Sequence, residues 1–357
     1  MLFRAPPFGL NISDYSIETI SLGGSIKNPR LLALGRKILE PGTIEYGKIL
    51  KPERLESVLQ KLIEKPKFGK INTKKFIFTL PESKTFIHIV ELPPDLKKEK
   101  TEEFIRSEAV SNFPFSLSDI YFGFKIVNRE VFLAAVQKNI VNEYLRVFKN
   151  LKLKPIVLEI ESTSIFRALT KKEDEAILIT GIGARTTNIN IFDEGYLRLS
   201  ISIDTAGNKF SQVLVKKLNI SFQEAESLKK EIGLDHEKKE GKVFLILQKE
   251  IQEIIFEIKK TEDYFRNKTG KKIEKIILAG GSAPIPHLRQ YLEENLEQPV
   301  LIGDPWENIN IDILKKKEYF KKALEINPIL YAPAIGSALR GLTRRPEKAD
   351  INLLPRT

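Results

Sequence analysis

Residues Ile177 to Phe192 read ILITGIGARTTNINIF, an apolar strand, a turn of small residues and a second strand. Two further stretches have a similar pattern: Phe8 to Leu22 (FGLNISDYSIETISL) and Ile276 to Leu288 (IILAGGSAPIPHL). A small-residue turn beside a strand lets backbone N–H groups come close to phosphates. The order and spacing of the three stretches therefore predict two similar halves that face each other across a nucleotide cleft.

The size and composition indicate a folded protein with two lobes. A chain of 357 residues is too long for one compact core, and 42% hydrophobic with 29% charged residues is typical of globular proteins. No stretch has the length of a transmembrane helix, and the first residues, MLFRAPPFGL, do not have the pattern of a signal peptide. The absence of cysteine excludes disulfides and thiolate metal sites, and predicts a cytoplasmic location.

The net charge of +11 comes from 58 Lys and Arg residues against 47 Asp and Glu residues. The densest basic runs, Lys61 to Lys75 and Lys315 to Lys322, are interleaved with acidic or apolar residues at helical spacing. This pattern favours a solvated helix face over a binding surface for nucleic acid. No recognised nucleic-acid module is visible, so no specific nucleic-acid partner is expected.

The first part of the chain predicts a β-β-β-α-β order. Leu10 and Ile12 alternate with polar residues, a turn follows, and two further strands run to Leu22 and from Leu31 to Leu39. Pro52 is placed to open a helix, and Phe76 to Leu80 reads as a short buried strand.

From about Thr85 the pattern changes to a self-contained α+β unit that ends near Pro155, after which the first lobe resumes. The unit is therefore predicted as an insertion. Its predicted elements are a strand (Phe86–Leu92), a helix (Asp95–Phe113), a hairpin (Ile120–Val127 with Val131–Gln137) and a second helix (Asn139–Leu151).

The second half repeats the opening pattern, so a duplicated α/β fold is expected. Ser221 with Glu224 predicts a capping box at a helix start. The other predicted elements are strands Ile177–Thr180, Thr187–Phe192, Leu197–Ile203 and Ile276–Leu278, and helices at Asn208–Leu218, Phe244–Tyr264 and Pro333–Leu342.

Several residues of this half are candidates for nucleotide contact. Gly280-Gly281 follows a strand and precedes a helix, where backbone could approach an adenosine. Glu226 and Lys229 lie at i and i+3 on one helix, where they could hold a ribose or form a surface salt bridge. Each signal is weak alone, and their order along the chain is the stronger indication.

With these motifs the chain resembles the PilM family of type IV pilus assembly proteins, within the actin-like ATPase superfamily, and more distantly the division protein FtsA. The resemblance spans nearly the whole chain. The motifs that carry it best are GARTTNINIF, YLRLSISIDTAGNKFSQ, ISFQEAESLKKEIGL, IILAGGSAPIPHL and APAIGSALRGL.

The resemblance implies a duplicated actin-like (ribonuclease H-like) α/β fold of two lobes with an inserted α+β subdomain of the FtsA/PilM type. The implied parts are subdomain 1A (residues 1–84 and 157–175), inserted subdomain 1C (85–156), subdomain 2A (176–220 and 275–345), subdomain 2B (221–274) and a C-terminal tail (346–357).

The resemblance also implies which residues would contact ATP. The family usually carries Asp-x-Gly in both phosphate hairpins, but here Asn11-Ile12-Ser13 and Gly181-Ile182-Gly183 stand there. Those aspartates hold the hydrated Mg²⁺, so ATP hydrolysis is expected to be impaired, with binding of ATP and Mg²⁺ left open. The implied ATP-contacting residues are Asn11, Ser13, Ser16, Gly183, Ala184, Thr186, Thr187, Gly207, Glu226, Lys229, Gly280, Gly281 and Ser282.

Two nearby acids, Asp14 and Asp204, remain as possible substitutes for the missing aspartates, although both positions are also ordinary turn positions.

The chain ends in INLLP, formed by Ile351, Asn352, Leu353, Leu354 and Pro355. The simplest interpretation is a short apolar end that packs on the protein's own surface. The segment also resembles the motif at the cytoplasmic N-terminus of PilN, which in the family lies between subdomains 1A and 1C. The resemblance thus implies that the tail can enter that groove in its own or a neighbouring molecule, and that deleting residues 346–357 strengthens PilN binding.

The implied function is that of a cytoplasmic scaffold, peripheral at the inner membrane, in a type IV pilus or a related type II secretion machine. Implied partners are a PilN-like N-terminal peptide, the inner-membrane platform and the motor ATPase. An enzyme is less expected than a scaffold. The alternatives are an active ATPase or a kinase-like phosphotransferase, which need acidic Mg²⁺ ligands, and an FtsA-like division protein, which the proline-containing tail disfavours.

Overall fold

The computed structural model describes residues 5–171, 175–316, 319, 323 and 325–355. The described chain divides into two compact units. The first contains the residues up to Ala168 together with those from Pro305 onward, and the second is Leu169–Asp304.

A six-stranded sheet in the order β11-β7-β1-β2-β3-β6 forms the centre of the first unit. Strand β1 pairs antiparallel with β2 and parallel with β7, and β7 pairs parallel with β11, which leaves β11 at the edge. The strands are β1 (Phe8–Ile12), β2 (Ser16–Ser25), β3 (Asn28–Ile38), β6 (Phe68–Gly69), β7 (Lys75–Leu80) and β11 (Lys154–Ile160), with the small pair β4 (Ile44–Glu45) and β5 (Lys48–Ile49) beside them.

Aromatic side chains fill the core beneath this sheet. The ring of Phe76 on β7 stacks on Phe8 and meets Phe148 edge-on, with centroid distances of 5.4 and 4.8 Å. Phe148 belongs to helix α3 (Lys138–Asn150), whose buried residues recur at helical spacing and form one apolar face. The remaining helices of this part are α1 (Pro52–Glu64) and α4 (Glu161–Leu169).

Helix α9 (Ala332–Gly341) packs against β1 and β7 in the same unit. Its sequence, APAIGSALRG, is rich in small residues, which allows the helix and strand backbones to approach closely. A Cβ at Gly9 would lie 1.9 Å from the Ala334 carbonyl oxygen. Residues 305–345 were predicted to belong to subdomain 2A and residues 157–175 to subdomain 1A, whereas the described residues from Pro305 onward fall in the first unit and those from Leu169 onward in the second. The other subdomain boundaries stay a prediction.

A separate three-stranded sheet, β8-β10-β9, forms the predicted insertion together with helix α2. Helix α2 starts at Thr101 and not at Asp95, because Pro93 and Pro94 end the preceding strand and a short 3-10 turn intervenes. The elements are β8 (Thr85–Glu91), α2 (Thr101–Asn112), β9 (Ile120–Val127) and β10 (Glu130–Gln137).

The second unit repeats the strand arrangement of the first. Its sheet has the order β14-β13-β12-β15-β16, and the pairing directions match those of β3-β2-β1-β7-β11. The duplication predicted from sequence is thus present in the topology. The elements are β12 (Ile177–Ile182), β13 (Thr187–Asp193), β14 (Tyr196–Ile203), α5 (Gly207–Leu218), α6 (Phe222–Glu231), α7 (Lys242–Thr269), β15 (Lys275–Ala279), α8 (Leu288–Leu296) and β16 (Val300–Ile302).

Candidate functional site

The first predicted phosphate turn connects β1 and β2 and is closed by its own serines. The Ser13 N–H donates to the Ser16 carbonyl at 2.9 Å. The Ser13 hydroxyl donates to the same carbonyl at 3.1 Å and accepts the Ser16 N–H at 3.0 Å. These bonds form a tight turn in which the two serines bind each other.

Asn11, at one of the two positions where the resemblance implies aspartate, is buried, and both ends of its side-chain amide are hydrogen-bonded. Its Nδ2 donates to Glu18 Oε2 at 3.0 Å, and its Oδ1 accepts the Thr79 hydroxyl at 2.6 Å. The amide therefore joins β1 to both of its neighbours in the sheet.

Glu18 is a buried carboxylate that was not predicted as a site residue. Arg36 Nε donates to its Oε1 at 2.9 Å, and Arg36 Nη2 donates to the Ser16 hydroxyl at 3.1 Å. Burial raises the pKa of the Glu18 carboxyl, although Arg36 acts in the opposite direction. An acidic residue between the apolar positions Ile17 and Ile20 of a strand was the available sequence signal.

The two acids considered as substitutes have other surroundings. Asp14 accepts the backbone N–H groups of Tyr46 and Gly47 at 2.6 and 2.8 Å, so it anchors the β4–β5 turn. Asp204 is exposed at the end of β14. Asp14 therefore has the role of a turn residue, which was the simpler of its two interpretations.

Glu82 and Glu161 lie together where β7 and β11 end, and neither was predicted from the sequence. Glu82 Oε2 accepts the Ser162 N–H at 3.0 Å. Burial and the neighbouring Glu82 carboxylate raise the pKa of Glu161 to about 8. A hydrogen bond with the Glu82 backbone lowers this pKa, but by less than the other two effects raise it. Glu161 is thus protonated at neutral pH.

The first unit does not fit a hydrated Mg²⁺ at this turn. The carboxylates near it already bind an arginine, an amide or backbone N–H groups, as Glu18 and Asp14 show. Over the described ranges, no three His, Asp or Glu side chains lie together as a metal-binding group. The hydrogen-bonded Asn11 supplies no charge that could replace an aspartate.

The second predicted phosphate turn connects β12 and β13. The Gly183 N–H donates to the Thr186 carbonyl at 3.0 Å, which closes the turn. The buried Thr187 hydroxyl donates to the Thr205 carbonyl at 2.6 Å and ties the turn to the start of α5.

The first N–H groups of α5, which are the usual donors to an anion at a helix N-terminus, are engaged by this turn. The Gly207 N–H donates to the Gly183 carbonyl at 3.1 Å, and the Asn208 N–H donates to the Ala184 carbonyl at 2.7 Å. A phosphate that used these donors would have to displace protein carbonyls.

The predicted adenosine turn after β15 packs directly against the end of β12. Gly280 has φ +83°, and a Cβ there would lie 2.5 Å from the Ile182 carbonyl oxygen, so this position requires glycine. The Ser282 N–H donates to the same carbonyl at 3.0 Å, and its hydroxyl donates to the Gly183 carbonyl at 3.3 Å. Gly281, between them, is exposed.

Glu226 and Lys229 form an internal pair, not a surface salt bridge. Lys229 Nζ donates to Glu226 Oε1, to the Ser211 hydroxyl at 2.8 Å and to the Gly207 carbonyl at 2.8 Å. Lys229 is 5% exposed. Burial lowers the pKa of this ammonium, and Glu226 opposes the effect. The pair fastens α6 to the start of α5.

Four of the predicted ATP-contacting residues thus converge on one point in the second unit. A Cβ at Gly207 would lie 2.6 Å from Ser282 Oγ, 3.1 Å from the Gly183 carbonyl oxygen and 3.6 Å from Lys229 Nζ. All four were named from the sequence as contacts of ATP, and that role stays a prediction. The polar groups of this cluster bind one another, while Asn11, Ser13 and Ser16 belong to the first unit.

The C-terminal segment Ile351–Pro355 lies along β11 within the first unit. The Leu353 N–H donates to the Leu158 carbonyl at 2.9 Å, and the Leu158 N–H donates to Asn352 Oδ1 at 3.1 Å. Ile351 and Leu353 are 8% and 1% exposed. The segment therefore adds hydrogen bonds to the open edge of the six-stranded sheet.

Arg340 of α9 holds the start of this segment. It is completely buried and donates to the carbonyls of Pro346 at 2.8 Å, Asp350 at 2.8 Å and Ile351 at 3.0 Å. It also donates to Glu159 at 2.8 Å. A basic residue inside an otherwise apolar helix was the sequence signal for this contact, and it was not used.

Glu159 is shared between two arginines. Arg167 Nη2 lies 3.1 Å and Arg340 Nη1 2.8 Å from its Oε2. Burial alone raises the pKa of Glu159, but the two guanidinium groups outweigh it and lower the pKa to about 2. The buried carboxylate is therefore ionised and balances the positive charge that binds the tail carbonyls.

The segment also touches strand β9 of the three-stranded sheet. A Cβ at Gly123 would lie 3.0 Å from Ile351 Cγ2 and 3.3 Å from the Asn352 carbonyl oxygen. Lys125, on the same strand, lies 3.4 Å from Asp350. We call the site between Gly123, Leu158 and Arg340 the tail groove.

Comparison with known proteins identifies relatives of the whole chain. The family model described as type IV pilus assembly protein PilM matches residues 9–342. A solved structure of a PilM-PilN type IV pilus biogenesis complex is similar with a TM-score of 0.80 and 21% identity, over 95% of this chain and 99% of that chain.

Two further solved structures share the fold at lower similarity. The ethanolamine utilization protein EutJ from Carboxydothermus hydrogenoformans has a TM-score of 0.58 and 14% identity, over 95% of this chain and 90% of its own. MreB5 of Spiroplasma citri bound to AMPPNP has a TM-score of 0.53 and 15% identity, over 94% of this chain and 96% of its own. The predicted actin-like fold is thereby confirmed. Among the described helices, none is long and apolar enough to cross a membrane.

Proposed function

The chain belongs to the PilM family of type IV pilus assembly proteins, and from this premise we propose that it is a scaffold that binds the N-terminal peptide of PilN. The observation that carries the proposal is the tail groove. It holds an Ile-Asn-Leu-Leu-Pro segment, which resembles the PilN motif in sequence. The solved PilM-PilN complex supports the choice of partner.

The contacts in the tail groove are similar to β-strand addition in that the backbone of Leu353 bonds to the edge strand while side chains fill pockets. The Asn352 side chain accepts the Leu158 N–H, so asparagine at this position supplies a second hydrogen bond to the same edge residue. Leu353 fills a buried site, whereas Leu354 and Pro355 are only partly buried. An incoming peptide should therefore depend mainly on its Ile-Asn-Leu residues.

The second part of the proposal is a nucleotide site that does not support rapid hydrolysis. Its support is the pairing of Asn11 with Glu18 and Thr79, and the use of the Gly207 N–H by the Gly183 carbonyl. The scaffold would lie at the inner face of the membrane because PilN brings it there, close to the pilus platform and motor ATPase.

Calorimetry tests both parts on the same protein. The chain lacking residues 346–357 is titrated with a synthetic PilN N-terminal peptide and, separately, with ATP–Mg²⁺, and phosphate release is followed. We expect peptide binding in the micromolar range and no turnover above background. A matched peptide with alanine in place of its asparagine should bind at least tenfold more weakly.

Two results would contradict the proposal in different ways. Rapid phosphate release would identify an active ATPase and contradict the proposal that hydrolysis is impaired. Absence of peptide binding by a folded protein would contradict the proposal that the chain is a scaffold that binds PilN.

A further inference from the structure

We propose that the C-terminal tail is a built-in competitor that must leave the tail groove before a second peptide can enter. This inference rests on the proposed PilN binding, because it concerns the regulation of the same groove. Its starting point is that the chain's own Ile351 and Leu353 already occupy the site.

The groove has no room for two segments. The Leu353 N–H donates to the Leu158 carbonyl, and the Leu158 N–H donates to Asn352 Oδ1. Both backbone polar groups of Leu158, on the edge strand, are therefore already bonded to the tail. On the opposite side, Gly123 is in tight contact with Ile351. A second peptide and the tail therefore exclude each other.

The contacts are of a kind that another chain could replace. Most of them come from the short run Asp350–Leu353, and the rest of the tail is only partly buried. The ring contact between Phe76 and Phe148 in the core is made without a tail residue. Leu354 and Pro355 are the part at which exchange can begin.

Arg340 sets a condition on the exchange. When the tail leaves, this fully buried guanidinium loses three carbonyl acceptors; among the described residues it keeps Glu159, which it shares with Arg167. A buried charge that loses its partners is strongly disfavoured. An efficient competitor must therefore extend upstream of its isoleucine, so that a carbonyl replaces that of Asp350.

The short tether makes the competition effective. About ten residues connect α9 to Ile351, and a tether of this length gives an effective concentration in the millimolar range. If the tail itself binds the open groove with a dissociation constant of about 10 µM, the full chain should bind a competing peptide about 100-fold more weakly.

The test uses a fluorescently labelled copy of residues 345–357 and fluorescence anisotropy. Three proteins are compared: the full chain, the chain ending at Arg345, and the full chain with Leu353→Asp, which keeps the tail but places a charge in its buried site. We expect the second and third to bind the peptide at least tenfold more tightly than the first. The full chain with Glu347→Gln, a change at an exposed position of the tail outside the groove, should behave like the unaltered chain.

Two further measurements test the groove and the upstream requirement. Gly123→Val in the chain ending at Arg345 should abolish binding, because its side chain fills the path of the peptide. A peptide that starts at Ile351 should bind this truncated chain at least tenfold more weakly than one that starts at Arg345. Circular dichroism and thermal melting identify the variants that are folded. If truncation prevents folding, the same two measurements are made in the Leu353→Asp chain.

The outcomes separate the two proposals. Equal affinity of the full chain and the folded tail variants would overturn the competitor, even if a PilN peptide binds all of them. If the open groove binds the tail peptide but no PilN peptide, the PilN function fails while the tail contact stands as a purely intramolecular one. Binding that is unaffected by Gly123→Val would place the peptide elsewhere and overturn the inference.

Discussion

At the scale of single residues, asparagine at position 11, where the resemblance implies aspartate, differs from aspartate in more than charge. The amide donates to Glu18 and accepts from Thr79, and a carboxylate could do only the second. The surroundings of this turn therefore fit asparagine and do not fit an ionised aspartate.

Asn11→Asp should destabilise the protein by on the order of 3 kcal/mol, because it brings two carboxylates together in a buried site. Chemical unfolding at pH 8 measures the effect. The matched double variant with Glu18→Gln should recover most of the loss, since the glutamine amide can donate to the introduced carboxylate. Equal stability of the single variant and the unaltered chain would contradict this account of the turn.

Glu159 should stabilise the protein at neutral pH and lose this effect in acid. The pKa of Glu159 is about 2 in the fold, below the ordinary value of 4.5, so its contribution is present above pH 4.5 and disappears as the pH falls toward 2. Glu159→Gln should cost on the order of 3 kcal/mol at pH 7. The difference in unfolding free energy between the two proteins, measured in urea from pH 7 to pH 2.5, should shrink with acid; a constant difference would contradict the prediction.

Glu161 should have the opposite pH dependence. The pKa of Glu161 is raised to about 8, so its contribution is fully present below pH 4.5 and is lost as the pH rises through 8. Glu161→Gln imitates the neutral acid, and it should gain stability relative to the unaltered chain between pH 5 and pH 9. Melting temperatures at these two pH values check the sign, and a gain that does not grow with pH would refute it.

At the scale of elements, the capping box of α6 was predicted and is confirmed. The Ser221 hydroxyl accepts the Glu224 N–H at 3.2 Å, and Glu224 Oε2 accepts the Ser221 N–H at 2.9 Å. Ser221→Ala should reduce stability by about 1 kcal/mol, as measured by urea unfolding. Ser221→Asn, which retains a capping side chain, is the control and should remain close to the unaltered chain.

Local sequence patterns were sufficient to predict the longer strands and helices, because the periodicity of apolar residues lies within each segment. The three-residue strand β16 and the pair β4–β5 were missed, since segments this short carry little periodicity. The position of α9 against β1 was also missed, because it depends on contact between Gly9 and Ala334, far apart in sequence.

The candidate site was predictable to a similar degree. Gly183, Gly207, Lys229 and Ser282 were named through the resemblance as ATP contacts, and that role stays a prediction. The geometry brings these four residues together. The partners of Asn11 and the role of Arg340 were not predicted, because a buried ion pair or amide contact has no fixed spacing along the chain.

At the scale of the whole molecule, each unit has its own sheet and core, and we expect two unfolding events in calorimetry. Leu247→Ala, in the buried face of α7, should lower the melting temperature of the second unit and reduce its free energy of unfolding by about 2 to 5 kcal/mol. Phe148→Ala should lower the melting temperature of the first unit. A single concerted transition shifted equally by both substitutions would contradict independent cores.

The packing of α9 on β1 has a consequence for biosynthesis. The ribosome makes Phe8–Ile12 more than 300 residues before Ala332–Gly341, and these two elements pack together. The uninterrupted stretch Leu169–Asp304 can fold while translation continues, whereas the first sheet waits with one face uncovered until α9 is released. The nascent chain therefore has its longest exposure to chaperones at the strand that it makes first.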